Sequence, residues 1–275
     1  MRRFLFSLMG VLLVCASCET NPYTERRQLV MLPQSYENRL GDQAYDQVLE
    51  DPKNRISQDL RELEPAKRVS ARIIEAAKQS KYAETAKSFE WEVNVIKDDK
   101  QANAFALPGG KIAIYTGIYP VAKNEAGLAA VVGHEVVHAL ARHGAERMSQ
   151  GIVAQVLLTG AAVGLSSQGT PGGQAIMQAL GLGTQVGVLL PFSREHESEA
   201  DHVGIILAAM AGYDPRESVA LWQRMEQAGG NQPPEFLSTH TSHRTRIKDL
   251  QEWMPEELGY YEKSSKAEST PLSGP

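Results

Sequence analysis

The chain has 275 residues, 42% of them hydrophobic, and carries 28 Lys and Arg against 33 Asp and Glu, a net charge of −5. That balance gives no sign of a nucleic-acid partner. Both cysteines, Cys15 and Cys18, lie in the opening segment, so histidine and carboxylate must supply any metal site in the body of the chain.

The sequence opens with Arg2 and Arg3, then an apolar run from Phe4 to Val14, then Cys15-Ala16-Ser17-Cys18. A charged start, a core too short to span a bilayer as a stable helix, and small residues before a cut site predict a secretory signal over residues 1–17. A membrane anchor helix is the other reading. The pair Ala16-Ser17 before the cysteine resembles the box of bacterial lipoproteins, which implies lipid attachment at Cys18. With Glu19 next, the same resemblance implies the periplasmic side of the outer membrane.

Residues 18–33 then read as a lipid-anchored tether ending in a short strand from Gln28 to Leu32. Residues 35–50 and 57–80 have helical composition, with Pro65 breaking or kinking the second stretch. Phe89, Trp91, Val93 and Val95 alternate with Glu90, Glu92 and Asn94, the period of a half-buried strand. The run 103–115 predicts two strands folded at Pro108-Gly109-Gly110. Their edge would suit a substrate backbone added as one more strand. An ordinary structural hairpin fits the same residues.

Residues 125–143 predict one helix, with Asn124 as N-cap, Glu125 in the first turn, and Arg142 and His143 before Gly144 at the exit. It contains His134-Glu135-Val136-Val137-His138. On a helix this spacing stacks both imidazoles on one face, about one turn apart, where they can grip a single ion. Such a pair offers two neutral nitrogens to Zn²⁺, and Glu135, beside the open position, can take a proton from the attacking water. That is the chemistry of a metalloprotease. A pattern with three fixed positions also arises by chance, so its surroundings matter. Gly127, Ala130 and Val131 share the histidine face, and imidazoles buried there are costly unless something binds them.

From Gly151 to Leu190 the composition shifts to Gly, Ala, Val and Leu, predicting two short helices joined by a flexible loop. The 151–190 insertion lies between two halves of the site, where a lid would be; a hydrophobic helical pair closing the core is the alternative. Ser193 caps a helix running to Gly212, Asp214-Pro215 starts another that ends at Gly229-Gly230, and a last one spans about Ser242 to Trp253. Residues 258–275 are polar, Ser/Pro-rich and predicted to be disordered.

A catalytic zinc takes three protein ligands and an open position. A third histidine ligand on the first helix is not expected, because Ala141 and Gly144 stand seven and ten residues after His134, which leaves His143 outside the set. Glu197 and Asp201, four apart, share a helical face, so one can bind metal while the other orients a ligand histidine. Glu195 and Glu199 belong to other faces and read as a solvated helix start.

Taken together, His134-Glu135-x-x-His138, Glu197-x-x-x-Asp201, Asn103-Ala104 with Pro108-Gly109-Gly110, and Ser238-Thr239-His240 followed by Arg246-Ile247 resemble the M48 metallopeptidases. The resemblance covers about residues 20–255 and is strongest to periplasmic lipoprotein members near the outer-membrane quality-control proteases. It implies a mainly helical α+β gluzincin fold with a small sheet over residues 34–257, one Zn²⁺ per chain, and endopeptidase action on unfolded or misassembled envelope proteins. By position it makes Glu197 the third ligand, puts Asp201 behind it, and lines the substrate groove with Asn103, Ala104, Phe105 and Ala106. His240 and Arg246 match positions that approach the metal, to stabilise the oxyanion or, for His240, to fill the open position at rest. Thr241 replaces the usual proline after that histidine, and no helical-repeat domain is expected after residue 255. A metal-containing chaperone or scaffold with little proteolysis is the alternative, against which intact Glu135 argues.

Overall fold

The computed structural model describes residues 18–165, 192–228, 236, 240 and 245–272. A short hairpin, β1 (Cys18–Thr20) with β2 (Arg27–Leu29), precedes three helices, α1 (Gln34–Glu50), α2 (Leu60–Lys78) and α3 (Ala83–Ser88). Next come β3 (Glu92–Ile96), β4 (Ala104–Leu107) and β5 (Lys111–Tyr115), and then α4 (Tyr119–Ala122) and α5 (Glu125–Leu140). The described elements end with α6 (His143–Leu165), α7 (Arg194–Met210), α8 (Arg216–Ala228) and α9 (Arg246–Lys263). This is the mainly helical α+β architecture expected, and no helix among the described residues is long and apolar enough to cross a membrane.

The three-stranded sheet has the order β3-β5-β4, with β3 parallel and β4 antiparallel to the central β5. Alternation along β5 serves two cores. Ile112 and Ile114 join Val95 in the main core, while Ala113 and Tyr115 join Ile96 and Tyr45 of α1 in a second one. The strand predicted from Phe89 begins only at Glu92, because Phe89 and Trp91 turn aside and pack on each other at 5.3 Å. The hairpin between β4 and β5 turns at Gly109 and Gly110, whose φ values of 88° and 91° suit glycine. That leaves β4 at the edge of the sheet, lying against α5.

Every residue of α5 is buried, which marks it as the central helix rather than a surface one. Asn124 caps it as expected, accepting from Gly127 N–H at 2.9 Å. The helix stops earlier than Gly144, however. Arg142 adopts a left-handed φ of 58°, held there by Glu37, Glu19 and the Leu32 carbonyl, and α6 starts at His143. Pro65 does not break α2: it lies near the helix start, where its missing N–H removes one bond and the buried ring packs into the core side.

Helices α5 and α7 approach at two glycines. A Cβ on Gly133 would sit 2.4 Å from the Gly204 carbonyl, and one on Gly204 would sit 2.7 Å from His134 N. Only hydrogen at both positions lets the two backbones meet. Ser193 starts α7 as predicted, its hydroxyl accepting from His196 N–H.

The disordered tail expected after residue 258 is corrected. Helix α9 continues to Lys263, and the segment behind it folds back on the start of α5. Thr270 O accepts from Glu125 N–H, Ser269 Oγ from Ala126 N–H, and Lys123 O from Leu272 N–H. These residues satisfy donors that the first turn of a buried helix cannot satisfy itself, which is why a polar strap is ordered. Of the 151–190 insertion, α6 accounts for residues up to Leu165, longer than the first short helix expected; residues 166–191 lie outside the described residues, as do residues 1–17.

Candidate metal centre

Helix α5 brings His134 and His138 to one face, their Nε2 atoms 3.1 Å apart. The glycine contact sets α7 alongside, so that Glu197 places Oε2 3.6 Å from His134 Nε2 and Oε1 3.5 Å from His138 Nε2. His240 adds Nδ1 at 3.2 Å from His134 Nε2 and 2.9 Å from Glu197 Oε1. One ligand atom from each of the four residues lies within 4.8 Å of all the others, and all four residues are buried.

A tetrahedral ion with bonds of about 2.0–2.1 Å separates its ligand atoms by roughly 3.3 Å. Five contacts across this cage, at 2.9–3.6 Å, bracket that length, with Glu197 reaching His134 through Oε2 and the other two histidines through Oε1. Asp201 Oδ1 lies 2.9 Å from His134 Nδ1 and, as a carboxylate bound to Arg246, accepts the proton there. His134 Nε2 is therefore a bare lone pair aimed into the cage. Two imidazoles, one carboxylate and a third imidazole form a donor set suited to zinc, so the residues present fit the ion.

Charge is arranged to match. Burial works against ionised Glu197, yet the hydrogen bond from His240 and the charge of Arg246 hold its pKa at about 2. Burial drives His138 well below the ordinary imidazole range, with the neighbouring histidines adding to it, which keeps it neutral and able to ligate. Glu135 is pushed upward by burial, against the pull of His240 and a hydrogen bond from the Ala106 backbone. Its Oε1 has no hydrogen-bond partner and lies 3.3 Å from His240 Nε2. A buried carboxylate with a free oxygen beside the cage is placed for proton transfer.

The predicted residues do converge, with differences in place. Ala104, Phe105 and Ala106 lie on β4, the edge strand, and Asn103 immediately before it accepts Ala104 N–H through its own side chain. Arg246 has two of its nitrogens taken up by carboxylates, while Nη1 is buried without a partner. Its Nε and Nη2 grip Asp201 and Glu197, and its guanidinium lies 3.7 Å over the Trp222 ring. His240 is stacked between Phe236 and Phe192, at 4.5 and 5.6 Å.

Glu199 is corrected outright: it is buried, not solvated, and binds Arg26, Thr24 and His143. His143 in turn touches His138. Neither was legible from spacing. His143 faces away from His138 on a continuous helix and reaches it only because Arg142 breaks the helix, while Glu199 meets a partner more than 170 residues away.

Residues 64–254 match the sequence model of peptidase family M48. The chain belongs to this family. A mitochondrial metalloendopeptidase of Schizosaccharomyces pombe, OMA1, is 37% identical over 243 residues, covering 86% of this chain and 66% of that protein. The protein of the same name in Saccharomyces cerevisiae is 30% identical, over 96% of this chain and 77% of its own length. The beta-barrel assembly-enhancing protease of Escherichia coli is 30% identical over 55% of this chain and 32% of its own. The M48 resemblance thus holds, and the expected placement on the periplasmic side of the bacterial outer membrane is overturned: the fungal relatives, matched over far more of the chain, are described as mitochondrial.

Proposed function

We propose that this M48 protein is an endopeptidase that holds one Zn²⁺ through His134, His138 and Glu197 and cleaves extended segments of unfolded or misassembled proteins. The observation that carries the reading is the cage itself: a lone pair on His134 Nε2 fixed by Asp201, with His138 and Glu197 at tetrahedral spacing and Glu135 alongside.

Zinc bound there would supply Lewis acidity, polarising the scissile carbonyl and acidifying a water molecule. The remaining work falls to the chain. The outer edge of β4 pairs with an extended backbone and lays it along α5, which selects segments that are not folded. Glu135 takes the proton of the attacking water at Oε1 and passes it to the leaving nitrogen. Asp201 and Arg246 keep His134 and Glu197 from turning. His240 places Nδ1 at the fourth corner; having given up its proton it would ligate there, restrain the site at rest and have to move aside for substrate. That occupancy also favours the second reading, a latent enzyme with scaffold behaviour.

Casein digestion by the wild type, by Glu135→Gln and by chelated protein tests the proposal. Cleavage lost in the last two supports it. Cleavage retained in Glu135→Gln at full zinc occupancy refutes it.

A further inference from the structure

Behind His138 a chain of side chains leads out of the metal cage to the N-terminal hairpin. His138 Nδ1 lies 3.0 Å from His143 Nδ1, and His143 Nε2 lies 3.1 Å from Glu199 Oε2. Arg26, just before β2, donates to Glu199 from Nε at 3.0 Å and Nη2 at 2.8 Å, while Thr24 donates to the other oxygen. The same guanidinium binds Glu146 of α6, which also receives His196 and Gln28. His138, His143 and Glu199 are all buried, so water cannot stand in for any of them.

The direction of each bond follows from chemistry. Glu199, held by a guanidinium, is a carboxylate and can only accept, so the proton on His143 sits at Nε2. Its Nδ1 is then a bare acceptor. The contact between the two Nδ1 atoms requires a proton, and only His138 can provide it. That leaves His138 Nε2 without a proton, its lone pair facing the lone pair of His134 Nε2.

We propose that Arg26, Glu199 and His143 are positioning residues for the metal site: they fix the tautomer and ring orientation of His138, so the segment 21–29 is a working part of the centre. The assignment rests on the reading of His138 as a ligand. Asp201 does the corresponding service for His134 directly, with a carboxylate against the ring. For His138 the carboxylate is set one imidazole further away and is steadied from a different part of the chain. An intervening histidine transmits only one tautomer, which makes the arrangement selective as well as rigid.

The test uses the full-length protein and a chromophoric chelator competing for zinc. Partners of this kind contribute about 10- to 100-fold in metal affinity or activity. His143→Leu removes the acceptor and is expected to weaken zinc binding by that factor, with Arg26→Met weakening it less. His143→Gln keeps an acceptor oxygen and a donor nitrogen and is expected to recover most of the loss, which a merely space-filling role would not predict. Wild-type affinity in both His143→Leu and Arg26→Met, alongside lost zinc in His138→Ala, overturns the proposal and leaves the ligand reading standing. Retained zinc in His138→Ala overturns the ligand reading itself. Should the variants fail to fold, ¹⁵N-histidine spectra of the zinc-loaded wild type decide: a proton on His138 Nδ1 coupled through its hydrogen bond to His143 Nδ1 is expected, and a proton on His143 Nδ1 refutes the relay.

Discussion

Replacing Gly204 by alanine tests how the site is held together. Gly204 lies three residues after Asp201 and seven after Glu197, on the face of α7 that meets α5. The added Cβ would sit 2.7 Å from His134 N and 2.8 Å from Gly133 C, where ordinary contact begins near 3.4 Å. Both are backbone atoms, so no side chain can swing away, and α7 must move out by about 0.7 Å. Metal sites tolerate roughly 0.2 Å in ligand distance. Glu197 rides on α7, so its carboxylate leaves the tolerated range by several times that margin. Overpacking of this kind costs about 1–3 kcal/mol, and each kcal/mol lowers Tm by roughly 2–4 °C in a chain of this size. Gly204→Ala is therefore expected to lower the Tm of the chelated protein and to weaken zinc binding at least tenfold, on the scale of a lost supporting contact. Calorimetry and chelator competition read the two effects. Gly144→Ala is the control, since nothing lies within 4 Å of its added carbon. A Gly204→Ala protein with wild-type Tm and zinc affinity refutes the close-packing argument.

Glu135→Gln is expected to keep zinc and fold while losing roughly 10²- to 10⁴-fold in turnover, read by atomic absorption beside casein cleavage. Chelation should lower Tm, because bound zinc at a thousand times its Kd contributes about 4 kcal/mol; an unchanged melting curve would deny the ion a place in the folded state. Burial raises the Glu257 carboxyl from 4.5 to about 8, with Glu256 and Asp201 adding to the shift, and neither oxygen has a partner. The folded form then holds the proton more tightly than the unfolded one, so stability falls as pH rises from 4.5 to 8 and levels off above; Glu257→Gln should flatten that slope, by up to roughly 5 kcal/mol at about 1.4 kcal/mol per unit.

What could be read from the sequence follows local rules. The caps at Asn124 and Ser193, the turn at Gly109-Gly110 and the four-residue spacings of His134/His138 and Glu197/Asp201 depend on neighbours along the chain, and each is found in place. What escaped depends on distant partners. A left-handed arginine at 142 looks like ordinary helix until Glu37 is known to wait beside it. The segment after residue 258 looks unfoldable by composition, yet it is ordered by two backbone donors of another helix. Arg246 was expected near the metal by family resemblance alone; its bonds to Asp201 and Glu197, 45 and 49 residues away, follow from no local rule.

The strap from Ser264 to Leu272 also has a consequence in time. Two of the first backbone donors of α5, those of Glu125 and Ala126, find their partners only in residues 269 and 270. During synthesis those partners trail the end of α5 by roughly 130 residues, or about 7 to 26 s at 5–20 residues per second. Throughout that interval the helix bearing His134, Glu135 and His138 has an unfinished N-terminus, and α7 with its glutamate emerges only midway through it. A nascent chain thus passes its own ribosome exit, and every unfolded neighbour there, before its cutting centre is assembled.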